Sequence, residues 1–154
     1  MRTRWYTLAL TVVVATPVFG QRPIAVTGVQ SLSFGTLLPG VPTIVVRTDA
    51  AQSGQFTIIG PHGTQAQVTF TLPAVLTGPG GATLPLTFGG SDAGYSQSQN
   101  IGSQIGFDPK QSFLITFSQQ GSGSVFLGGT ARPAPTQRAG AYTAIITLNV
   151  ASFP

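Results

Sequence analysis

The fold is decided by "AGAYTAIITLNV", Ala139 to Val150, the last full stretch of the chain. Tyr142, Ala144, Ile146, Leu148 and Val150 fall on one side of it, and Thr143, Thr147 and Asn149 on the other. A period of two in a run rich in β-branched residues predicts a half-buried strand over Tyr142–Val150. Only Ile145 breaks the polar face. The open point is its partner: the strand either closes a complete domain or borders a groove that another chain fills.

Working outward, the same short apolar runs recur: "IAVTGVQSLSFG", "TIVVRT", "GQFTIIG", "AQVTFTLP", "ATLPLTFGG", "QSFLITFS" and "SVFLGG". Turn-forming stretches separate them, among them "LPGVP", "TGPGG", "GSDAGYSQSQN", "QQGSGS" and "RPAPTQRAG". No 3.6-residue pattern is sustained for three turns, so helix is at best local. About seven to nine short antiparallel strands with regular turn signals predict an all-β sandwich. Pro73 and Pro85 are expected at edges or strand ends, because proline cannot donate to a ladder. A membrane barrel fits less well: it needs strands of about ten alternating residues and aromatic girdles, and most runs here are shorter.

Residues 1–20 read as a cleaved signal peptide. "MRTR" supplies the positive start, "WYTLALTVVVAT" the apolar stretch, and "PVFG" the small-residue positions, which places cleavage before Gln21. The apolar stretch is too short for a membrane span, and no later run is long enough to be one. The remainder, 21–154, is one domain with room for a real core. It carries five basic residues (Arg22, Arg47, Lys110, Arg132, Arg138) against Asp49, Asp92 and Asp108, a net +2. The basic residues are scattered, which gives nucleic acid or an anionic membrane no patch to bind. There is no Cys. Hence there is no lipid-anchor cysteine, and an exported domain of this kind relies on burial and sheet hydrogen bonds.

The chemistry-bearing groups are few. Beyond residue 20 there are one His, three Asp, no Glu and no Cys, and none falls at metal-ligand spacing. His62 lies in the turn "GPHGT", and each Asp reads as a turn residue bonding its own backbone. "GSGSV" is no nucleophile elbow, and "GPGGAT" lacks the Lys of a phosphate loop. The expectation is a non-enzyme with no cofactor or metal. A monomeric secreted binding module, for carbohydrate or another surface, is the alternative. Its contact would be Tyr95, an aromatic set among polar residues in "GSDAGYSQSQN"; the competing reading packs that ring on the domain edge.

Three pieces carry a resemblance: "LSFGTLLPG" (Leu32–Gly40) followed by "TIVVRT", then "FLGGTA" (Phe126–Ala131), then "AGAYTAIITLNV". With the signal peptide and "VTFTLP", they resemble a family of bacterial secreted domains of unknown function akin to spore-coat protein U and pilin-type immunoglobulin-like subunits. The resemblance implies a pilin-like, immunoglobulin-like sandwich exported to the periplasm, cell surface or an extracellular filament. It would serve there as a structural subunit of a pilus, fimbria or coat. The implied partners are identical or related subunits, with a periplasmic chaperone and an outer-membrane usher. The chain departs from the pattern in lacking cysteines and in ending "VASFP".

Subunits of this kind leave a groove beside their last strand, which a neighbour's N-terminal segment fills by strand addition. Here the acceptor wall would be Tyr142, Ala144, Ile146, Leu148 and Val150. The donor would be the arm 21–31, with Ile24, Val26, Gly28 and then Leu32 along one side. Gly28 is expected where two backbones approach closely. The alternative, left open by the residues, is that this segment is the domain's own first strand.

Overall fold

The computed structural model describes residues 23–152. Twelve strands are present there: β1 Ala25–Gln30, β2 Thr43–Val45, β3 Gly54–Ile59, β4 Gln65–Thr71, β5 Val75–Thr77 and β6 Thr83–Thr87. They continue with β7 Ala93–Ser96, β8 Ile105–Phe107, β9 Phe113–Thr116, β10 Ser122–Leu127, β11 Gly129–Ala131 and β12 Thr147–Ser152. The one helical element among the described residues is a single 3-10 turn, Pro79–Gly81. The predicted signal peptide, 1–20, lies outside the described residues.

The chain is an all-β sandwich. A five-stranded antiparallel sheet, ordered β1-β3-β10-β7-β8, faces a three-stranded one, β12-β4-β9. Period-two patterning builds the interface. On β4, Ala66 and Val68 are buried and Phe70 half-buried, while Gln65 and Thr71 are exposed. On β12, Leu148 and Val150 sit opposite Phe70 and Val68. These meet Ile58, Ala93, Tyr95, Val125 and Leu127 from the five-stranded sheet. Phenylalanines cross the layer: Phe56 lies edge-on to Phe70, which is offset from Phe107, which stacks on Phe113 at 4.3 Å.

A four-stranded sheet, β2-β11-β6-β5, carries a second core of Phe34, Val45, Leu84, Leu86 and Ala131. Leu32, Leu37 and Tyr142 pack against it. "LSFGTLL" is therefore not strand; it is a covering segment laid on that sheet.

The strands number twelve, above the expected range: β7 lies within "GSDAGYSQSQN", read above as a turn, β5 and β8 lie between the apolar runs, and a single run can change sheets part-way. "SVFLGGTA" is one such run: β10 belongs to the large sheet and β11 to the small one, with Gly128 between. A Cβ at Gly128 would collide with the Val45 carbonyl oxygen. Pro85 stands mid-β6 and not at an end. Arg132, just past β11, donates to its carbonyl at 2.9 Å. The return bond that proline cannot make falls where β11 has already stopped.

Candidate functional site: the flank between the first and last strands

β1 and β12 are edge strands of different sheets, and they lie beside each other on one flank of the sandwich. Among the described residues no strand pairs with the outer edge of either. Below them the flank opens into a groove of about 730 Å³. One wall is the covering segment, with Leu32, Phe34 and Leu37; the other is Tyr142 to Ile146; Leu76, Leu84 and Leu86 line it from the small sheet. A smaller hollow of about 270 Å³ adjoins it over Gly28, between β1 and Ala144–Ile146.

Both walls are irregular chain with few backbone bonds, and the first turns at Gly35, at φ +62°. From Leu32 to Leu37 only the Ser33 amide makes a backbone bond, to the Gln52 carbonyl at 2.9 Å. From Ala144 to Ile146 there is none among the described residues. Such groups, held beside an apolar floor, suit an added strand, which would supply main-chain bonds and side chains together.

The far wall is pinned at its start. Thr143 and Thr77 exchange both backbone bonds, at 2.8 and 2.9 Å. The Tyr142 ring lies where a Cβ on Gly78 would come within 2.6 Å of it. Its hydroxyl donates to the Arg138 carbonyl and accepts from Gln137 Nε2, both at 2.7 Å. Gln137 Nε2 also reaches the Thr83 carbonyl at 3.2 Å.

These placements change several expectations. The last strand begins at Thr147, not Tyr142. Its partner β4 ends at Thr71 with Pro73 two residues on, so Tyr142–Ile146 has no ladder to join and is caught once, at Thr143. Leu148 is buried, Ile146 and Val150 half-buried, Ala144 exposed, and Ile145 is 85% exposed. The arm is paired at home, as β1 on β3, with Val26 opposite Ile58 and Gly28 opposite Phe56. Ile24 packs against the main core and Leu32 against the second. Gly28 serves no close approach: a Cβ there would meet nothing within 4 Å. It borders the register shift between Gly28 and Gln30.

Tyr95 is not a loop aromatic. It lies on β7 and is 3% exposed, with its ring over Gly123 and its hydroxyl donating to the Thr116 carbonyl at 2.9 Å. It ties the five-stranded sheet to β9. Burial pushes its pKa up to about 12. It lines a hollow of about 580 Å³ with Gln97, Ser103 and Ile105, but at this burial the ring offers a surface ligand almost no face.

The three Asp side chains close turns. Asp49 accepts from the Ala51 and Gln52 amides, Asp92 from Gly89, and Asp108 from Lys110. His62 is exposed in its turn. Among the described residues, no three His, Asp or Glu side chains gather as a metal site. None of the described helices is long and apolar enough to cross a membrane.

Comparison with known proteins adds no relative: no family model, no curated protein and no solved structure matches the chain.

Proposed function

We propose that this protein is a non-enzymatic, exported structural subunit of a pilin-like, immunoglobulin-like type, and that copies join into a surface filament or coat by strand addition at the β1/β12 flank. The carrying observation is that two sheets end side by side on one flank with unpaired edges, above an apolar groove walled by unbonded backbone. The edge strands and the two walls at this flank, 25–30, 32–37, 142–146 and 147–152, hold no charged residue of their own, and the one charged side chain lining the groove is Arg138. Proteins that keep their edges apart place Lys, inward charges or covering loops there.

Size favours use of the groove as well as the edges. Two six-residue edges are about 20 Å long on a sandwich about 10 Å thick, covering roughly 200–400 Å². A stable interface takes about 800 Å² from each partner. The groove supplies the missing surface. Before assembly, an exposed flank of this kind would need a chaperone, and a chaperone with an outer-membrane usher fits the resemblance. The binding-module reading loses its contact residue, since Tyr95 is buried.

The test is to express the full chain, purify it from the cells, and follow it by size exclusion and negative-stain electron microscopy across concentration. Ordered polymers are expected, and an excess of the peptide "PIAVTGVQSL" should slow their growth by competing for the flank. A monomer at every concentration, with no polymer on the cells, would refute the proposal.

A further inference from the structure

The arm occupies its own β3, so the flank needs another occupant. The opposite flank holds the other open edges of the same two sheets, beside a hollow of about 580 Å³ lined by Ile105, Phe113 and Leu114 among others. There β8 and β9 are the outer strands of the same two sheets, and Phe107 of β8 is stacked on Phe113 of β9. Neither strand has a charged residue of its own, and the Arg47 guanidinium lies over Gly106 of β8. Ile105 stands opposite Tyr95 in the pairing, so it shares the inward face of the sheet, yet it is 63% exposed. On the first flank Val26, opposite the buried Ile58, is likewise inward-facing and 38% exposed. The sandwich interior is thus uncovered on both sides.

The register aligns the two flanks. Gly28, Phe56, Val125, Tyr95 and Ile105 form one row across the large sheet. At one end of that row is a glycine under the 270 Å³ hollow; at the other is an exposed isoleucine. Strand direction agrees. Sheets of five and three antiparallel strands run their two outer strands the same way. One displacement therefore sets β8 beside β1 of the next copy, and β9 beside β12, in parallel pairing in both sheets.

Resting on the filament reading above, we propose that the occupant of the β1/β12 flank is the β8/β9 flank of a second copy, with its Ile105 seated in the hollow over Gly28. This contact is head-to-tail, so it does not close on itself and repeats without limit.

Two single variants test it. Gly28→Leu puts a side chain into the hollow from a position where an added Cβ meets nothing within 4 Å, and Ile105→Lys charges the exposed isoleucine. Each alone should raise the assembly threshold at least ~tenfold, while an equimolar mixture should give a one-to-one dimer through the remaining intact pair of flanks. Circular dichroism checks that each variant folds. As an independent measurement, Ala151→Cys and Leu114→Cys place thiols that both stand opposite Gln67 on β4, in a chain with no cysteine of its own. Oxidising the mixture should yield the mixed disulfide severalfold over either self-linked product.

If Ile105→Lys dimerises alone, or Ala151→Cys links chiefly to itself, the flank pairs with its own twin and the inference is wrong while the filament reading stands. The same holds if both variants polymerise like wild type, or if polymers form but the mixed disulfide does not. If wild type never assembles, the filament reading itself has failed.

Discussion

Gly78→Ala should loosen the groove's far wall at its anchor. Gly78 is extended, at φ −125° and ψ −164°, so alanine meets no backbone strain there. Its Cβ would instead stand 2.6 Å from Cε1 and 2.7 Å from Cδ1 of Tyr142. Overpacking of this kind costs about 1–3 kcal/mol if the surroundings hold. What holds the ring is its two side-chain hydrogen bonds, to Arg138 and Gln137, worth about 1 kcal/mol each net. The two costs are comparable, so the ring yields before the sheet does, and the loss of stability is limited to about 2–3 kcal/mol. For a domain of this size that is a fall in melting temperature of roughly 6–15 °C. Calorimetry measures the fall, and amide exchange locates it: the Thr77 and Thr143 amides, which bond each other's carbonyls, should exchange faster while β4 and β10 stay protected. Gly28→Ala is the control, expected within about 0.5 kcal/mol of wild type, because its Cβ enters open space. A Gly78→Ala protein that melts like wild type with unchanged Thr143 exchange would show that the ring is not seated on Gly78.

Alkali should unfold the protein through Tyr95. Its folded pKa is raised to about 12 from an ordinary value near 10. Stability from its neutral form is complete below pH 10 and falls as pH rises toward 12, by about 1.4 kcal/mol per unit. Denaturant midpoints measured across that window should show the slope, and Tyr95→Phe should remove it. At pH 7 the same variant should lose only about 1 kcal/mol, since Gln97 Nε2 also donates to the Thr116 carbonyl, at 3.1 Å. Asp49→Ala should cost about 1–2 kcal/mol in urea unfolding, because the carboxylate closes the turn ahead of β3 at 2.8 and 3.0 Å. Asp49→Asn, which keeps an acceptor, should recover most of it. Val68→Ala, at a fully buried position, should cost about 2–4 kcal/mol by leaving a cavity.

The sandwich was legible because burial imposes a period of two, and that period survives in β4 and β12 without reference to any partner. The same period misled at Tyr142–Ile146. Alternation records which side of a chain meets apolar surface, and this wall does meet the groove, but a strand also needs a ladder beside it. Tyr95 was unreadable for a related reason. Its sequence neighbours are polar because the outer side of β7 holds Ser96, bonded to Ser98 and Ser103 in the following loop. Space for the ring comes from Gly123, far along the chain. The asymmetry of the flanks was also hidden, because Gly28 and Ile105 are related only through three intervening strands. The turn roles of the three Asp were readable, being local.

The run through Gly128 bears on how the molecule comes apart. Two separate apolar cores would ordinarily melt as two units. Here β10 lies at the centre of one sheet and β11, one residue on, inside another. Phe88 packs against both cores and against Gly129. Neither half can lose its order without stripping a central strand from the other, so heating should give one sharp calorimetric transition with equal van't Hoff and calorimetric enthalpies. The chain thus behaves as a single cooperative unit, and no half-melted species exposes a second set of edges while the first remains folded.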